Sequence, residues 1–342
     1  MREDWQKTSN ITSMALLRTI STGFWSSRAL SSAIEIGLFS AISAKEYCLE
    51  ELAKELKVTE RGLEVLLRYL QSAGLIVRLG KNKITSSEIA RKFLDPSKDL
   101  YLGFEATISA DVWRAFESLT DKVIGRQAAN ETRYFSSLNE AQNKGFFETM
   151  RVQGQACAED LAAKIDIQHR NVLVDVGCGP AAYSMAFLQQ YPSLNVVLID
   201  LPHVLEITRK KILKTNFADR VIFLEGSFWE VLPRVEYDCL LFSRILHDWS
   251  DEQCIALLKR FIRGLNSNGM IIVHEEMIHD VENPEWWPVI LDLFLFCLIG
   301  SGRTRTVDEL KGILKKVNCM TKDVHRIDEF TSVMTASKST SR

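Results

Sequence analysis

Between residues 171 and 276 the chain repeats one pattern five times: a short, continuous apolar run, then a stretch of helical character. The runs are "NVLVDVG", "LNVVLID", "RVIFLEG", "DCLLFSR" and "GMIIVHEE". A strand with one face in water alternates apolar and polar side chains, whereas a strand that is apolar throughout is buried on both faces. Such strands, each separated from the next by a helix, are the mark of parallel pairing, because parallel neighbours need a crossover. The expected fold class of this part is therefore α/β, an open parallel sheet with helices on both faces. Ligands of such sheets lie at the carboxyl ends of the strands.

What precedes the sheet reads differently. Residues 10–45 are helical, with Leu30, Ala33, Ile34 and Leu38 near a 3.6 period. "LEELAKELKV" predicts a short amphipathic helix. Thr59 predicts the cap of a second, whose Leu63, Leu66, Leu67 and Leu70 fall on one face and which Gly74 ends. "LIVRLGKNKITSS" then reads as a hairpin turning at Gly80 to Lys83. Helix, helix, hairpin is a winged-helix arrangement. Residues 51–94 hold nine Lys and Arg against five Asp and Glu, and Arg61 and Arg68 on the second helix are balanced by Glu60 and Glu64. A groove reader needs a basic face, so a packing or dimerisation role is expected rather than nucleic-acid binding. The domain boundaries expected are 1–100 for the winged-helix part, 101–168 for a helical linker region lining the site, and 169–335 for the sheet. The tail "TASKSTSR" is expected to fray.

Composition narrows the class further. A net charge of −2 over 342 residues gives no global field for nucleic acid or an anionic membrane. The longest apolar run, "LDLFLFCLIG", is too short to span a bilayer, and "MREDWQKTSN" has no signal-peptide core. Seven cysteines without a CxxC pair are expected to be free thiols in a reducing cytoplasm, and no metal is expected.

The first strand runs into "LVDVGCGPAAYSMAF", Leu173 to Phe187. Its glycines satisfy a loose G-x-G-x-x-A pattern, so a dinucleotide fits the glycines alone. Asp175, two residues before Gly177, would repel a diphosphate lying there and suits a cationic group instead. Asp200 follows 25 residues after Asp175, at the end of the next strand, where an acidic side chain accepts ribose hydroxyls. A ligand with a ribose, an adenine and a cationic amino-acid tail fits better: S-adenosylmethionine.

The segments "LVDVGCGPAAYS", "LIDLPHVLE", "EGSFWEVLP", "SRILHDWSDEQCIALLKR" and "GMIIVHEEMI" occur in an order and spacing that resemble the class I S-adenosylmethionine-dependent small-molecule O-methyltransferases. More narrowly the chain resembles those with an N-terminal winged-helix dimerisation domain, as in plant caffeate and hydroxyindole enzymes and bacterial antibiotic-pathway enzymes. The resemblance implies a Rossmann-like methyltransferase sheet, a homodimer, and transfer of a methyl group to a small, hydroxylated aromatic metabolite, leaving S-adenosylhomocysteine. It implies that Asp175, Gly177 and Gly179 line the methionine end of the cofactor, that Asp200 and Leu201 meet ribose and adenine, and that Ser227, Phe228, Ser243, Arg244 and Trp249 complete the site. Ser227 stands where family members often carry an acid, and Ser243 where plant relatives often carry Lys. The family's general base corresponds to His247 and its orienting carboxylate to Glu275; Glu276 is expected to point away. A second acidic residue of the family corresponds here to Thr304. Met150, Trp286, Trp287, Asp292 and Phe296 are candidates for the acceptor pocket. Asp248 is expected to hold the loop backbone, Ser250 with Gln253 to form a capping box, and His274 to be a strand residue. Alternatives are N- or C-methylation, a non-methylating enzyme of the same fold, and a winged-helix regulator with a small-molecule sensor domain.

Overall fold

A computed structural model of the protein describes residues 13–80, 83–126 and 138–339. They form two compact units, 13–118 with 139–152 and 119–126 with 138 and 153–339. The segment 101–168, expected as a separate linker region, is shared between the two.

In the first unit, the helical stretch expected over 10–45 is two helices, α1 (Ser13–Glu35) and α2 (Leu38–Ala44), parted at Gly37 with φ 74°. Then come α3 (Leu49–Leu56), α4 (Glu60–Ser72), the antiparallel pair β1 (Ile76–Leu79) and β2 (Lys83–Ser86), α5 (Glu88–Phe93) and α6 (Gly103–Glu117). Thr59 caps α4 as expected, its hydroxyl accepting from Gly62 N–H at 3.2 Å. Leu63, Leu67 and Leu70 face a core with Leu38, Phe39, Ile42, Leu52 and Ile84, while Leu66 is only partly buried. Two cations of the hairpin, Arg78 and Lys83, and Arg68 of α4 are engaged within the unit: Glu64 pairs with both Arg68 and Arg78, and Glu51 with Lys83. Leu17, Ile20 and Phe24 fall at one-face helical spacing on α1, and each is more than half exposed.

The second unit contains α7 (Leu119–Val123), the C-terminal part of α8 (Glu140–Lys164), β3 (Val172–Val176), α9 (Ala182–Gln190), β4 (Asn195–Asp200), α10 (Pro202–Ile212), β5 (Val221–Glu225) and β6 (Tyr237–Ser243). After these follow α11 (Asp251–Ile262), β7 (Leu265–Glu275), β8 (Met277–Ile278), α12 (Trp286–Leu298), β9 (Arg305–Thr306), α13 (Val307–Lys316), β10 (Cys319–Arg326) and β11 (Ser332–Lys338). The main sheet has the order β10-β11-β7-β6-β3-β4-β5. Its five apolar strands are parallel, as the runs require. Successive residues go to opposite layers: Leu240 and Phe242 join one core with Leu257 and Leu314, while Cys239 and Leu241 join the other with Leu161 and Leu205.

Two antiparallel strands extend the sheet, and they correct the expected ending. The tail read as frayed supplies β11, whose Ser332 to Ser337 pair with Glu275 back to Met270 on β7, so the sheet runs past residue 335. Neither β10 nor β11 has a continuous apolar run: β10 is the edge strand, where polar residues are tolerated, and in β11, paired on both sides, buried Ser332 and Thr335 interrupt the run. No helix among the described residues is long and apolar enough to cross a membrane. All seven cysteines are free.

Candidate active site

The chain leaves β3 for β4 and β5 on one side of the sheet and then crosses to β6 on the other. This reversal opens a crevice at the carboxyl ends of β3 and β6. The glycine turn sits at its floor. Gly177 and Gly179 have φ of 71° and 49°, a region L side chains avoid. A Cβ on Gly177 would lie 2.4 Å from Ile245 Cδ1, so this glycine is fixed by close packing. Beside Gly179 a Cβ would meet nothing within 4 Å, so the turn is open to a ligand there.

Two acids meet at this turn. Asp200 Oδ2 accepts from Gly179 N–H at 2.8 Å and its Oδ1 from Leu201 N–H at 2.7 Å. Asp175, 2% exposed, accepts from the Ser184 hydroxyl at 2.6 Å. Burial pushes the Asp175 carboxyl up to about 7, against the Ser184 hydrogen bond and with help from the Asp200 charge. Burial also raises Asp200, its two backbone donors opposing the shift. These carboxylates are hydrogen-bonded by neutral donors, and the nearest positive influence on Asp200, from His203, does not outweigh its burial. The donor set suits S-adenosylmethionine: each Asp200 oxygen keeps a lone pair for one of two adjacent hydroxyls, Asp175 is ready for an ammonium group, and the open side of Gly179 admits the backbone of a ligand.

Farther along the crevice, Phe228 and Trp229 meet the ring of Trp249 edge-on at 5.9 and 5.0 Å. Leu201 is 43% exposed, and Ser227 Oγ accepts from Trp229 N–H at 3.2 Å. Trp229 Nε1 is buried without a hydrogen-bond partner among the described residues. Sequence reasoning passed over Trp229, although it adjoins Phe228. Ser243 is engaged with His274 Nδ1 at 2.9 Å. Arg244, in the left-handed region at φ 57°, pairs with Glu276 and donates to Gln153.

His247 lies in a 3₁₀ turn after β6, 9% exposed. Its Nδ1 is 2.9 Å from Glu275 Oε2 and 3.3 Å from Glu276 Oε2, though neither contact is aligned as a hydrogen bond. Nε2 is 3.6 Å from Asp248. Burial alone would lower the imidazole's pKa, but the charges of Glu275, Asp248 and Glu276 prevail and raise it well above its ordinary value. The turn's backbone is held chiefly by Glu275, not by Asp248: Glu275 Oε1 accepts from Ile245 N–H at 3.1 Å and Leu246 N–H at 2.8 Å. Arg305 completes the clamp, donating to the carbonyls of Leu246 and Trp249. Ser250 and Gln253 form the expected capping box at the start of α11.

The expectation that Glu276 points away fails. β7 ends at Glu275 and a new short strand begins at Met277, so the alternation that would separate consecutive side chains stops between them. The residue aligned with a second family acid, Thr304, has a structural place: its N–H donates to Asp292 at 2.8 Å and its hydroxyl to Pro288 O at 2.9 Å. His247, Glu275 and Glu276 are also the one group among the described residues whose spacing suits a metal ion. Arg244 already supplies a cation to that group.

A cavity of about 410 Å³ lies beside this turn, lined by Val289, Asp292, Leu293, Phe296 and the loop from Gly300 to Arg303. Arg303 N–H donates to His247 O at 2.8 Å, and a Cβ on Gly302 would sit 2.7 Å from that same oxygen. The structure thus brings Asp292 and Phe296 to the cavity. Trp286 and Trp287 are not among its lining residues; Trp287 packs on Phe330 instead. Met150 belongs to the other unit.

Residues 117–318 match an O-methyltransferase domain and residues 19–95 an O-methyltransferase dimerisation domain. The chain is 28% identical to the 3-hydroxy-5-methyl-1-naphthoate 3-O-methyltransferase of Streptomyces sahachiroi, covering 89% of each chain. It is 28% identical to the mitomycin biosynthesis 6-O-methyltransferase of Streptomyces lavendulae, over 86% of this chain and 85% of that one. In fold it is similar to human N-acetylserotonin methyltransferase in complex with S-adenosylmethionine, with a TM-score of 0.82, 21% identity, and coverage of 96% of this chain and 98% of that one.

Proposed function

The chain belongs to the S-adenosylmethionine-dependent O-methyltransferase family, and from that premise we propose that it methylates a hydroxyl of a small aromatic metabolite with His247 as general base. When bound, S-adenosylmethionine supplies a methyl on a positively charged sulfur, an electrophile that needs no further activation. The protein's part is to seat the acceptor and take its proton. In the neutral ring, with Nδ1 protonated toward Glu275, Nε2 keeps its lone pair for the acceptor hydroxyl. The observation that carries this reading is a buried imidazole backed by carboxylates, on a turn whose carbonyl is bonded to a wall of the cavity. The apolar lining from Val289, Leu293 and Phe296 suits a flat ring. The relatives named for 3-O-methylation of a hydroxynaphthoate and for 6-O-methylation in mitomycin biosynthesis support an aromatic acceptor of the secondary-metabolite type.

Asp175, Gly179 and Asp200 would hold the cofactor, with Phe228, Trp229 and Trp249 about its adenine. The exposed stripe of Leu17, Ile20 and Phe24 on α1 and the match to a dimerisation domain support a homodimer. The test is His247→Ala, assayed with hydroxynaphthoate acceptors. Retained S-adenosylhomocysteine binding with turnover lowered ~10²–10⁴-fold is expected; undiminished turnover would remove the base.

A further inference from the structure

The site holds one carboxylate more than the proposed base needs for a single orienting contact, and it is not an idle one. Glu276 is 2% exposed, and its two oxygens face different cations. Oε1 is 3.0 Å from Arg244 Nε, and Oε2 is 3.3 Å from His247 Nδ1. We infer that Glu276, clamped by Arg244, is a second positioning residue for His247, supplying from the end of β7 the carboxylate that Thr304 does not provide. This rests on the reading of His247 as the base.

Three observations support it. First, the two glutamates divide the work. Glu275 spends Oε1 on the backbone of Ile245 and Leu246, so only Oε2 faces the ring. A ring with one lateral partner can pivot about it, whereas two carboxylates on the same nitrogen fix its tilt. Second, Arg244 is held in place at both ends. Its N–H donates to His274 O at 2.8 Å, and its guanidinium reaches Gln153 as well as Glu276. A left-handed arginine is a strained conformation that persists where its surroundings impose it. Third, the charge balance is right. The charged groups about His247 are Glu275, Glu276 and Asp248, with Arg244 behind them; Arg303 and Arg305 border the same space but are engaged by Asp251. Arg244 offsets the charge of one of the two adjacent glutamates. Glu276 is accordingly held well below the usual carboxylate range by Arg244 and His247, which outweigh its burial.

The rival is that Glu276 serves only as the counterion of Arg244. Histidine-labelled full-length protein, titrated by NMR with and without S-adenosylhomocysteine, separates the two, His247 being assigned from the spectrum of His247→Asn. In Glu276→Gln the His247 pKa is expected to fall by about one unit or more, as it does in Glu275→Gln. In Arg244→Gln, which leaves Glu276 free to serve the ring alone, it is expected to rise. A cooperative thermal transition followed by circular dichroism, within a few degrees of the parent's, shows that each variant is folded. If Glu276→Gln leaves the His247 pKa unchanged while Glu275→Gln lowers it, Glu276 belongs to Arg244 and the inference is wrong. If Glu276→Gln does not fold, Arg244→Gln decides by its sign, and no rise overturns the proposal. Turnover of His247→Ala toward a hydroxynaphthoate tests the base separately: an active variant sinks that reading while leaving the titrations to stand on their own.

Discussion

Two pairs of acids lie at the carboxyl ends of the central strands, Asp175 with Asp200 and Glu275 with Glu276, and they are neutralised by opposite means. The aspartates are bound by a hydroxyl and by backbone N–H groups, none of them charged. The glutamates face an imidazole and a guanidinium. With comparable burial, Asp175 is pushed up to about 7 and Glu276 is driven down. A buried carboxylate without a cation is costly to ionise, so the first pair is incomplete until a cation arrives. The second carries its own cations and is complete without a ligand. Under the proposed function the difference would separate a binding site from a reacting one: the first would gain energy from a cationic cofactor, the second would keep a proton acceptor in one orientation.

Substitutions can break this contrast at graded depth. The largest effect is the loss of turnover in His247→Ala, which leaves the aspartate pair untouched. In decreasing order, Asp200→Ala comes next, expected to weaken S-adenosylmethionine ~10–100-fold in calorimetry, since a charge-assisted acceptor of two hydroxyls is worth roughly 1.5–3 kcal/mol. The sharpest comparison is Asp175→Asn against Glu276→Gln. Asp175 has a raised folded pKa, so its stabilising contribution is present at acid pH and lost as pH rises through about 7. Asp175→Asn should therefore raise the melting temperature of the ligand-free protein at pH 8 while impairing cofactor binding. Glu276 has a lowered folded pKa and contributes stability above the unfolded value, lost as pH falls. Glu276→Gln should lower the melting temperature at pH 8, and equal signs for the two would refute the contrast. A pH series adds a smaller effect: S-adenosylmethionine should bind more tightly at pH 8 than at pH 6, with proton release from Asp175 visible as a dependence of the heat on buffer. The smallest lies outside both pairs. Thr59→Ala in the first unit should cost about 1 kcal/mol in denaturant unfolding.

What could be read from the sequence follows from how local each cause is. The apolar runs give β3, β4, β6 and β7 because burial on both faces is written in consecutive residues; β5 shows the same run although it is an edge strand with Ile222 52% exposed. Thr59 and Ser250 give helix starts because a cap needs only its neighbours three residues on. The glycine turn and Asp200 are legible for the same reason. β10 and β11 are not, since Ser332, Thr335, Thr321 and Lys322 interrupt their apolar runs and their place in the sheet is set by pairing, β11 with β7 and β10 with β11. Glu276 was misplaced because strand alternation was carried one residue past the end of β7. The engagement of Arg244 with Glu276, and of Asp292 with Thr304, joins residues 32 and 12 apart through turns that no periodicity reports.

The contact between Arg303 N–H and His247 O, with Gly302 pressed against the same carbonyl, ties one cavity wall to the turn that carries His247. Drift toward new acceptors would then be channelled. Exchanges at Val289, Leu293 and Phe296 can reshape the cavity from a helix that does not carry the imidazole. A side chain added at Gly302 displaces the His247 turn along with the wall. Selection for a different ring should collect its changes on α12 and leave 302–303 alone, so the lineage can swap what it methylates without relearning how.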